Sequence, residues 1–344
     1  MTRHPITGPG PLHVTCRGQT RALCPGERFD STVTDTYRDA PAPEMHGIIA
    51  EVVAGTPWRK VVASRYAANN PWLHRIVTDA QRDLFFRLYP PATGSRILDL
   101  GSGWGQIAMP LARHGYVCAL EPTPERLRFI EAAARQDGLA ERMWFVQADF
   151  LETTFADAFD LVTCIGVLEW VPRFAPQLTP IEAQGAFLAR ARSVIAPGGR
   201  LVIGIENRLG LKYLLGAPDD HLGVPDVAMY DAALADAKWR ERSGTPLRSL
   251  THTRAEYETL LKRAGFGEIT FWSAFPDYKL PTAIVEAGAP TDQFLAANFI
   301  PEHDGIRGEP LAFQEELASH YRSLAALQIS SDFAPSYFIA ASPA

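Results

Sequence analysis

From residue 95 onward the chain alternates short apolar runs with stretches in which apolar residues recur at helical spacing. Arg96 to Leu100, Tyr116 to Leu120, Met143 to Gln147, Leu161 to Ile165, Arg200 to Ile205, Glu268 to Trp272 and Ser336 to Ala340 predict seven strands. The helices between them carry explicit start and stop signals. Thr123-Pro124 opens one and Gly138 closes it, with proline inside the start and glycine past the end. Thr179-Pro180-Ile181-Glu182 and Thr253-Arg254-Ala255-Glu256 set a hydroxyl and a carboxylate three residues apart, where each can satisfy a free backbone donor of the other. The first of these helices offers Ile181, Phe187, Leu188, Ala191 and Ile195 as its apolar stripe and stops at Pro197-Gly198-Gly199; the second offers Tyr257, Leu260, Leu261 and Ala264 and ends before Gly265. Such alternation predicts an α/β protein, a parallel sheet with helices on both faces.

The first ninety residues read differently. Glu44 to Tyr89 is helical in pattern, through Ile48, Ile49, Val52 and Val53, then Val61 and Val62, then Ile76, Leu84, Phe85 and Leu88. It predicts a cap of two to four helices, ended by Pro90 and Pro91 because proline cannot donate the next helix bond and restricts the residue before it. From Met1 to about Pro43 the chain is rich in Pro, Gly, Thr and Arg and predicts an irregular arm, wrapped on the surface or partly disordered. Residues 1–90 are thus expected to form arm and cap, and 91–344 the main domain. Two long segments, Asn207 to Leu250 and Phe275 to Pro335, interrupt it as lids or substrate-binding elements, with helices at Asp226 to Arg242 and Pro310 to Leu327.

Composition narrows the function classes. Of 344 residues, 47% are apolar and 21% charged, a globular balance without a case for long disorder. A formal charge of -6 with no local basic patch disfavours nucleic acid. The longest apolar stretch, Leu161 to Leu168, is far below the roughly 20 residues of a membrane span, and the first twenty residues do not read as a secretory signal. Cys16, Cys24, Cys118 and Cys164 lack metal-type spacing and fit a reducing cytoplasm. His13, His46, His252, His303 and His320 share no spacing, so no metal site is expected.

Candidate chemistry gathers at strand ends. Ile97-Leu98-Asp99-Leu100-Gly101-Ser102-Gly103-Trp104-Gly105 joins the first strand to the first helix, where glycines permit a sharp turn and a close approach to ligand. Alone, such a turn is equally read as a tight connection without a ligand. Asp99 would repel a pyrophosphate and favours a cationic ammonium or sulfonium group. The G-x-G-x-G run also lacks the third glycine of the dinucleotide fingerprint. Glu121, about 20 residues after the first glycine, can accept from both hydroxyls of a ribose. Asp149 after the third strand can accept from an adenine amino group while Phe150 packs the ring.

Residues 95 to 206 resemble a class I S-adenosylmethionine-dependent methyltransferase. The resemblance is carried by Leu98-Asp99-Leu100-Gly101-Ser102-Gly103-Trp104-Gly105, Glu121, Gln147-Ala148-Asp149-Phe150, Phe159-Asp160-Leu161-Val162 through Leu168-Glu169-Trp170-Val171, and Pro197-Gly198-Gly199-Arg200-Leu201. It implies a Rossmann-like seven-stranded sheet in the order 3-2-1-4-5-7-6 with an antiparallel seventh strand. It also implies S-adenosylmethionine as cofactor, held by Asp99, Gly101, Ser102, Gly103 and Trp104 at the methionine part, Glu121 at the ribose and Asp149 with Phe150 at the adenine, with Ile165 and Gly166 behind it. Many relatives have His where this chain has Trp170, so a His-assisted role there is absent. A narrower likeness, in Glu206-Asn207-Arg208-Leu209-Gly210-Leu211-Lys212-Tyr213, Gly216-Ala217-Pro218-Asp219-Asp220-His221 and Pro276-Asp277-Tyr278-Lys279-Leu280-Pro281, is similar to bacterial methyltransferases found beside surface-polysaccharide glycosyltransferases. It covers only the two insertions and implies a glycan-linked acceptor, with a polar small molecule such as an amino acid or natural-product intermediate as the alternative.

A sulfonium is already an activated electrophile, so the protein must chiefly place the acceptor in line with the methyl carbon. His221, after Asp219 and Asp220, is the candidate general base, against a surface-loop histidine. Asn207 is a candidate for substrate binding, against a cap or turn role. Tyr278 is a candidate to stack on or bond the substrate, against simple core packing. Trp104 is read as a roof over the cofactor, against an anchor for the cap. A protein that binds the cofactor and catalyses nothing, and an NAD-linked oxidoreductase disfavoured by Asp99, are the competing classes.

Overall fold

The structure, a computed structural model, describes residues 9–33, 37–298 and 311–344. His303 and the predicted helix start at Pro310 lie outside the described residues. The chain divides into two compact units, Met1–Asn69 with Phe86–Thr163 and Val194–Gly199, and Asn70–Phe85 with Cys164–Ser193 and Arg200–Ala344.

The first unit opens with strands β1 (Leu12–Cys16) and β2 (Gln19–Leu23), an antiparallel hairpin where an irregular arm was expected, followed by β3 (Arg28–Asp30). Leu12, Val14 and Cys16 alternate inward, a strand period half hidden by the surrounding Pro, Gly and Thr. Arg17 and Gly18 both take positive φ, 48° and 76°, the two-residue turn whose twist matches that of paired strands. Helices Ala42–Val53 and Trp58–Tyr66 follow as the sequence predicts. Gln136, at the end of helix Pro124–Gln136, donates to the carbonyls of Val52 and Thr56 and so fastens the first of them.

Strands β4 (Arg96–Leu100), β5 (Tyr116–Leu120) and β6 (Met143–Gln147) run parallel, with Leu98 opposite Cys118 and Cys118 opposite Trp144. Their residues are almost continuously buried, as expected of strands covered on both faces. β7 (Thr153–Phe155) pairs with β1, and β8 (Phe159–Ile165) begins beside β4. The order in this unit is β3-β6-β5-β4-β8, the predicted 3-2-1-4 with β3 added at the edge.

In the second unit, the end of β8 is followed by β9 (Ile195–Glu206), β10 (Phe266–Phe275), β11 (Ala283–Glu286) and β12 (Ser336–Pro343). The order is β8-β9-β12-β10-β11, with β12 antiparallel to both neighbours. This is the predicted 4-5-7-6 with β11 added. Both capping boxes form, at Thr179 with Glu182 and at Thr253 with Glu256. The first insertion carries helices Leu211–Leu214 and Ala232–Ser243, the latter starting later than predicted because Asp231 caps the amides of Ala233 and Leu234. The second carries β11 and helices Ala289–Ala297 and Leu311–Ala326.

The units do not divide at residue 90. Tyr66 packs edge-on against Trp104 within the first, whereas Phe85 stacks on Phe338 within the second. Among the described residues no helix is long and apolar enough to cross a membrane.

Candidate functional site

The first unit builds a cradle from the turn after β4. Gly101, Gly103 and Gly105 have φ of 67°, 57° and 81°, conformations that strongly favour glycine. The amides of Gly101 and Ser102 both donate to the Leu120 carbonyl, at 2.9 and 3.1 Å, and the Ser102 hydroxyl donates to the Asp99 carbonyl at 3.0 Å. The turn is therefore locked to the end of the neighbouring strand before any ligand arrives. At Gly105 a side chain would come within 3.1 Å of Ile130.

Glu121 is 2% exposed, and its carboxylate accepts from the Gly103 amide at 2.8 Å and the Thr123 amide at 2.9 Å. Burial pushes this carboxyl above its ordinary range, while Arg126 and the two amides pull it back. A carboxylate has about four acceptor positions, more than the two amides and the neighbouring Thr123 hydroxyl occupy. Asp149 is half-buried, accepts from the Leu151 amide at 2.8 Å and precedes the buried Phe150.

Asp99 is buried at the turn, and its Oδ1 accepts from the Thr163 hydroxyl at 2.6 Å, a fixing contact the sequence did not indicate. One cradle expectation is corrected. Trp104 is no roof: it is 2% exposed, lies edge-on between Tyr66 and Phe129, and donates from Nε1 to Asp39, which also pairs with Arg126 at 2.7 Å. It anchors the cap, the alternative weighed for it.

The second unit holds a separate group of functional side chains. Gly166 follows Ile165 with φ of 72° and donates to the Gly204 carbonyl at 2.9 Å. A Cβ on Gly166 would lie 2.7 Å from the Tyr278 hydroxyl, so glycine is what lets that phenol approach. Tyr278 is buried, and burial pushes its hydroxyl well above the ordinary tyrosine range, leaving it a donor. Asn207 is fully buried. Its amide donates to the carbonyls of Asp332 and Ala334 and to the Tyr337 hydroxyl, and its oxygen accepts from Leu209, so no donor remains for a substrate. It ties the end of β9, the turn role weighed against substrate binding.

His221 is not on the surface; its side chain is 5% exposed. Its Nε2 faces Glu206 at 3.4 Å and Glu169 at 3.6 Å, and its Nδ1 faces Asp219 at 3.6 Å. Burial would depress the imidazole, but Glu206 and the carboxylates of Asp219 and Glu169 outweigh it and hold His221 well above the ordinary histidine value. The imidazole is thus a buried group among three carboxylates, not the surface-loop histidine weighed against the general-base expectation.

Around it, Lys279 bonds Glu206, and Lys212 and Tyr213 both bond Asp220. Against burial, Lys279 and then His221 bring Glu206 down to about 2. Glu169 instead stands above its usual range through burial and the nearby Glu206 charge. Glu169 and Lys279 sat inside recognised motifs but carried no expected role, because four separate chain segments assemble this cluster.

A parallel strand leading into a glycine turn, with an acid ending the next strand, defines a Rossmann-like site for an adenosyl ligand. Residues 98–203 match the methyltransferase domain family. Residues 98–203 thus carry a methyltransferase domain of the class I kind, whose cofactor is S-adenosylmethionine.

It is 30% identical over 140 residues to a ubiquinone biosynthesis O-methyltransferase of Aeromonas salmonicida, covering 40% of this chain and 51% of that one. It is 30% identical over 185 residues to a ubiquinone/menaquinone biosynthesis C-methyltransferase of Ruegeria, covering 52% and 66%. The chain thus spans between about half and two thirds of the length of these two curated relatives. Among solved structures it is similar to a phosphoethanolamine N-methyltransferase of Haemonchus contortus in complex with S-adenosyl-L-methionine, at 16% identity and a TM-score of 0.44 over 87% of this chain and 57% of that one.

Proposed function

We propose that this protein transfers the methyl group of S-adenosylmethionine to a polar acceptor, a small molecule or a glycan-linked group. The observation that carries the reading is Glu121, a carboxylate buried at the end of β5 and tied directly to the Gly103 amide of the glycine turn. The turn residues Gly101 to Gly105 hold the methionine part, Glu121 the ribose, and Asp149 with Phe150 the adenine. Ile165 and Gly166 back the cofactor in this reading. Asp99 acts as a positioning residue through Thr163.

A polar acceptor is favoured because the second unit buries charged and hydroxylated side chains at its strand ends rather than an apolar slot. Tyr278 serves as a hydrogen-bond donor toward the acceptor. His221 lies between Glu169, Glu206 and Asp219 and holds them in place, and Asn207 fixes the strand that carries Glu206. Near-attack positioning can supply roughly 7 to 11 kcal/mol of such a barrier, so no strong base is required. The reaction is placed in the cytoplasm, in keeping with four unpaired cysteines, three of them buried.

The test is release of S-adenosylhomocysteine by the purified chain against a panel of phenols, sugars, amino acids and nucleotide sugars. Turnover with one polar class supports the proposal. Cofactor binding without turnover on any acceptor assigns the chain instead to a catalytically silent binding protein.

A further inference from the structure

The buried cluster of the second unit has a geometry that hydrogen bonding does not account for. Glu169 and Glu206 are each 1% exposed, and Glu169 Oε2 and Glu206 Oε2 have no hydrogen-bond partner. A buried carboxylate oxygen left without a partner loses its hydration with nothing in return. Nε2 of His221 stands 3.4 Å from Glu206 Oε2 and 3.6 Å from Glu169 Oε1, beyond the roughly 2.7 to 3.2 Å of an N–H···O bond. Ligands about 2.0 to 2.2 Å from a tetrahedral metal ion stand about 3.3 to 3.6 Å from one another. The three side chains offer one oxygen, one oxygen and one nitrogen, all within 4.8 Å of each other.

Charge points the same way. Among the described residues, the carboxylates of Glu169, Glu206, Asp219 and Asp220 gather here with the ammonium groups of Lys212 and Lys279 and with His221. Lys279 takes the other oxygen of Glu206, Oε1, and Asp219 faces Nδ1 of His221, the carboxylate partner that metal-bound histidines commonly have.

We propose that Glu169, Glu206 and His221 bind one divalent first-row transition-metal ion, with Asp219 orienting the histidine. A mixed oxygen and imidazole set suits zinc or manganese better than magnesium, and three protein ligands leave positions for water or an acceptor oxygen. The proposal stands independently of the methyl-transfer reading, because it concerns the ion alone. The spacing of histidines could not indicate it, since the three ligands come from the turn after β8, the end of β9 and the first insertion.

The test titrates chelator-stripped, full-length protein with Zn2+, Mn2+ and Mg2+ by calorimetry, without cofactor or acceptor. The expected result is one Zn2+ per chain, with Mg2+ weaker, and at least a 30-fold loss of Zn2+ affinity in both Glu169→Gln and His221→Gln. Trp170, whose ring centre lies 5.1 Å from that of His221, should change its emission at the same equivalence point. Should the variants fail to fold, X-ray absorption of the zinc-loaded wild type decides, by the outer-shell scattering of a single imidazole among nitrogen and oxygen ligands at about 2.0 to 2.2 Å. No saturable binding, affinity unchanged in both variants, or a zinc site without imidazole would overturn the proposal.

Discussion

Replacing Glu121 with alanine tests both the architecture of the cradle and its ligand. The carboxylate satisfies two amides, Gly103 at 2.8 Å and Thr123 at 2.9 Å, in a place with almost no solvent access. Each orphaned buried donor costs about 1 to 3 kcal/mol, so Glu121→Ala should lower the unfolding free energy by about 2 to 5 kcal/mol. Glu121→Gln keeps one acceptor oxygen and should lose about half as much. Independently, a ribose diol bound to this carboxylate makes charge-assisted bonds worth about 1.5 to 3 kcal/mol. Removing them weakens S-adenosylmethionine about 10- to 150-fold. Urea unfolding measures the first quantity; calorimetric titration below the midpoint measures the second. If Glu121→Ala left both the unfolding free energy and the cofactor affinity unchanged, the reading of the cradle would be refuted.

Three other outcomes follow from particular contacts. His252 is buried and held down to about 4, first by burial, and its Nε2 donates to Gln184 Oε1 at 2.7 Å, since the amide nitrogen of Gln184 is already spent on Leu168 and Leu250. An unfolded histidine titrates near 6.5, so between these values the unfolded chain binds a proton that the folded chain refuses. Stability should fall by up to about 3 kcal/mol as pH drops from about 6.5 to 4; His252→Gln should remove that slope, read as the difference between the two urea series. Asn207→Ala strips the contacts that its two amide hydrogens share among three acceptors and the bond its oxygen accepts from Leu209, and should cost about 3 to 5 kcal/mol of stability, with the KM of the folded fraction unchanged; a raised KM at intact stability would restore it as a substrate ligand. Gly105→Ala forces a left-handed conformation at about 1 to 2 kcal/mol and presses on Ile130 at 3.1 Å, so cofactor affinity and thermal midpoint should fall together; a neutral result would show that the turn can shift.

The strand runs and helix caps were legible because local rules decide them. Thr253 and Glu256 form their box wherever the helix packs, and β4, β5 and β6 are mostly apolar because both faces are covered. The N-terminal hairpin was missed because the short alternation of Leu12, Val14 and Cys16 is flanked by turn-forming residues, Pro9, Gly10 and Pro11 before it and Gly18 after it. The paired positive φ values at Arg17 and Gly18 carry only a weak signature, a single glycine. At the site, the glycines and Glu121 lie in one continuous stretch with a fixed order, so spacing identified them. The roles of Asp99, Trp104, Asn207 and His221 depended instead on partners far away in sequence: Thr163, Tyr66, Tyr337 and Glu169. A residue type can announce what chemistry it offers, but only the fold decides whether a buried neighbour has already consumed it.

The central claim is that the turn from Gly101 to Gly105, with Glu121, is built for an adenosyl sulfonium donor. Its most direct test is calorimetry on the wild-type chain with S-adenosylmethionine and NAD titrated side by side. The account requires saturable uptake of one S-adenosylmethionine per chain and no comparable heat from NAD; tighter binding of NAD, or silence with both ligands, would contradict it.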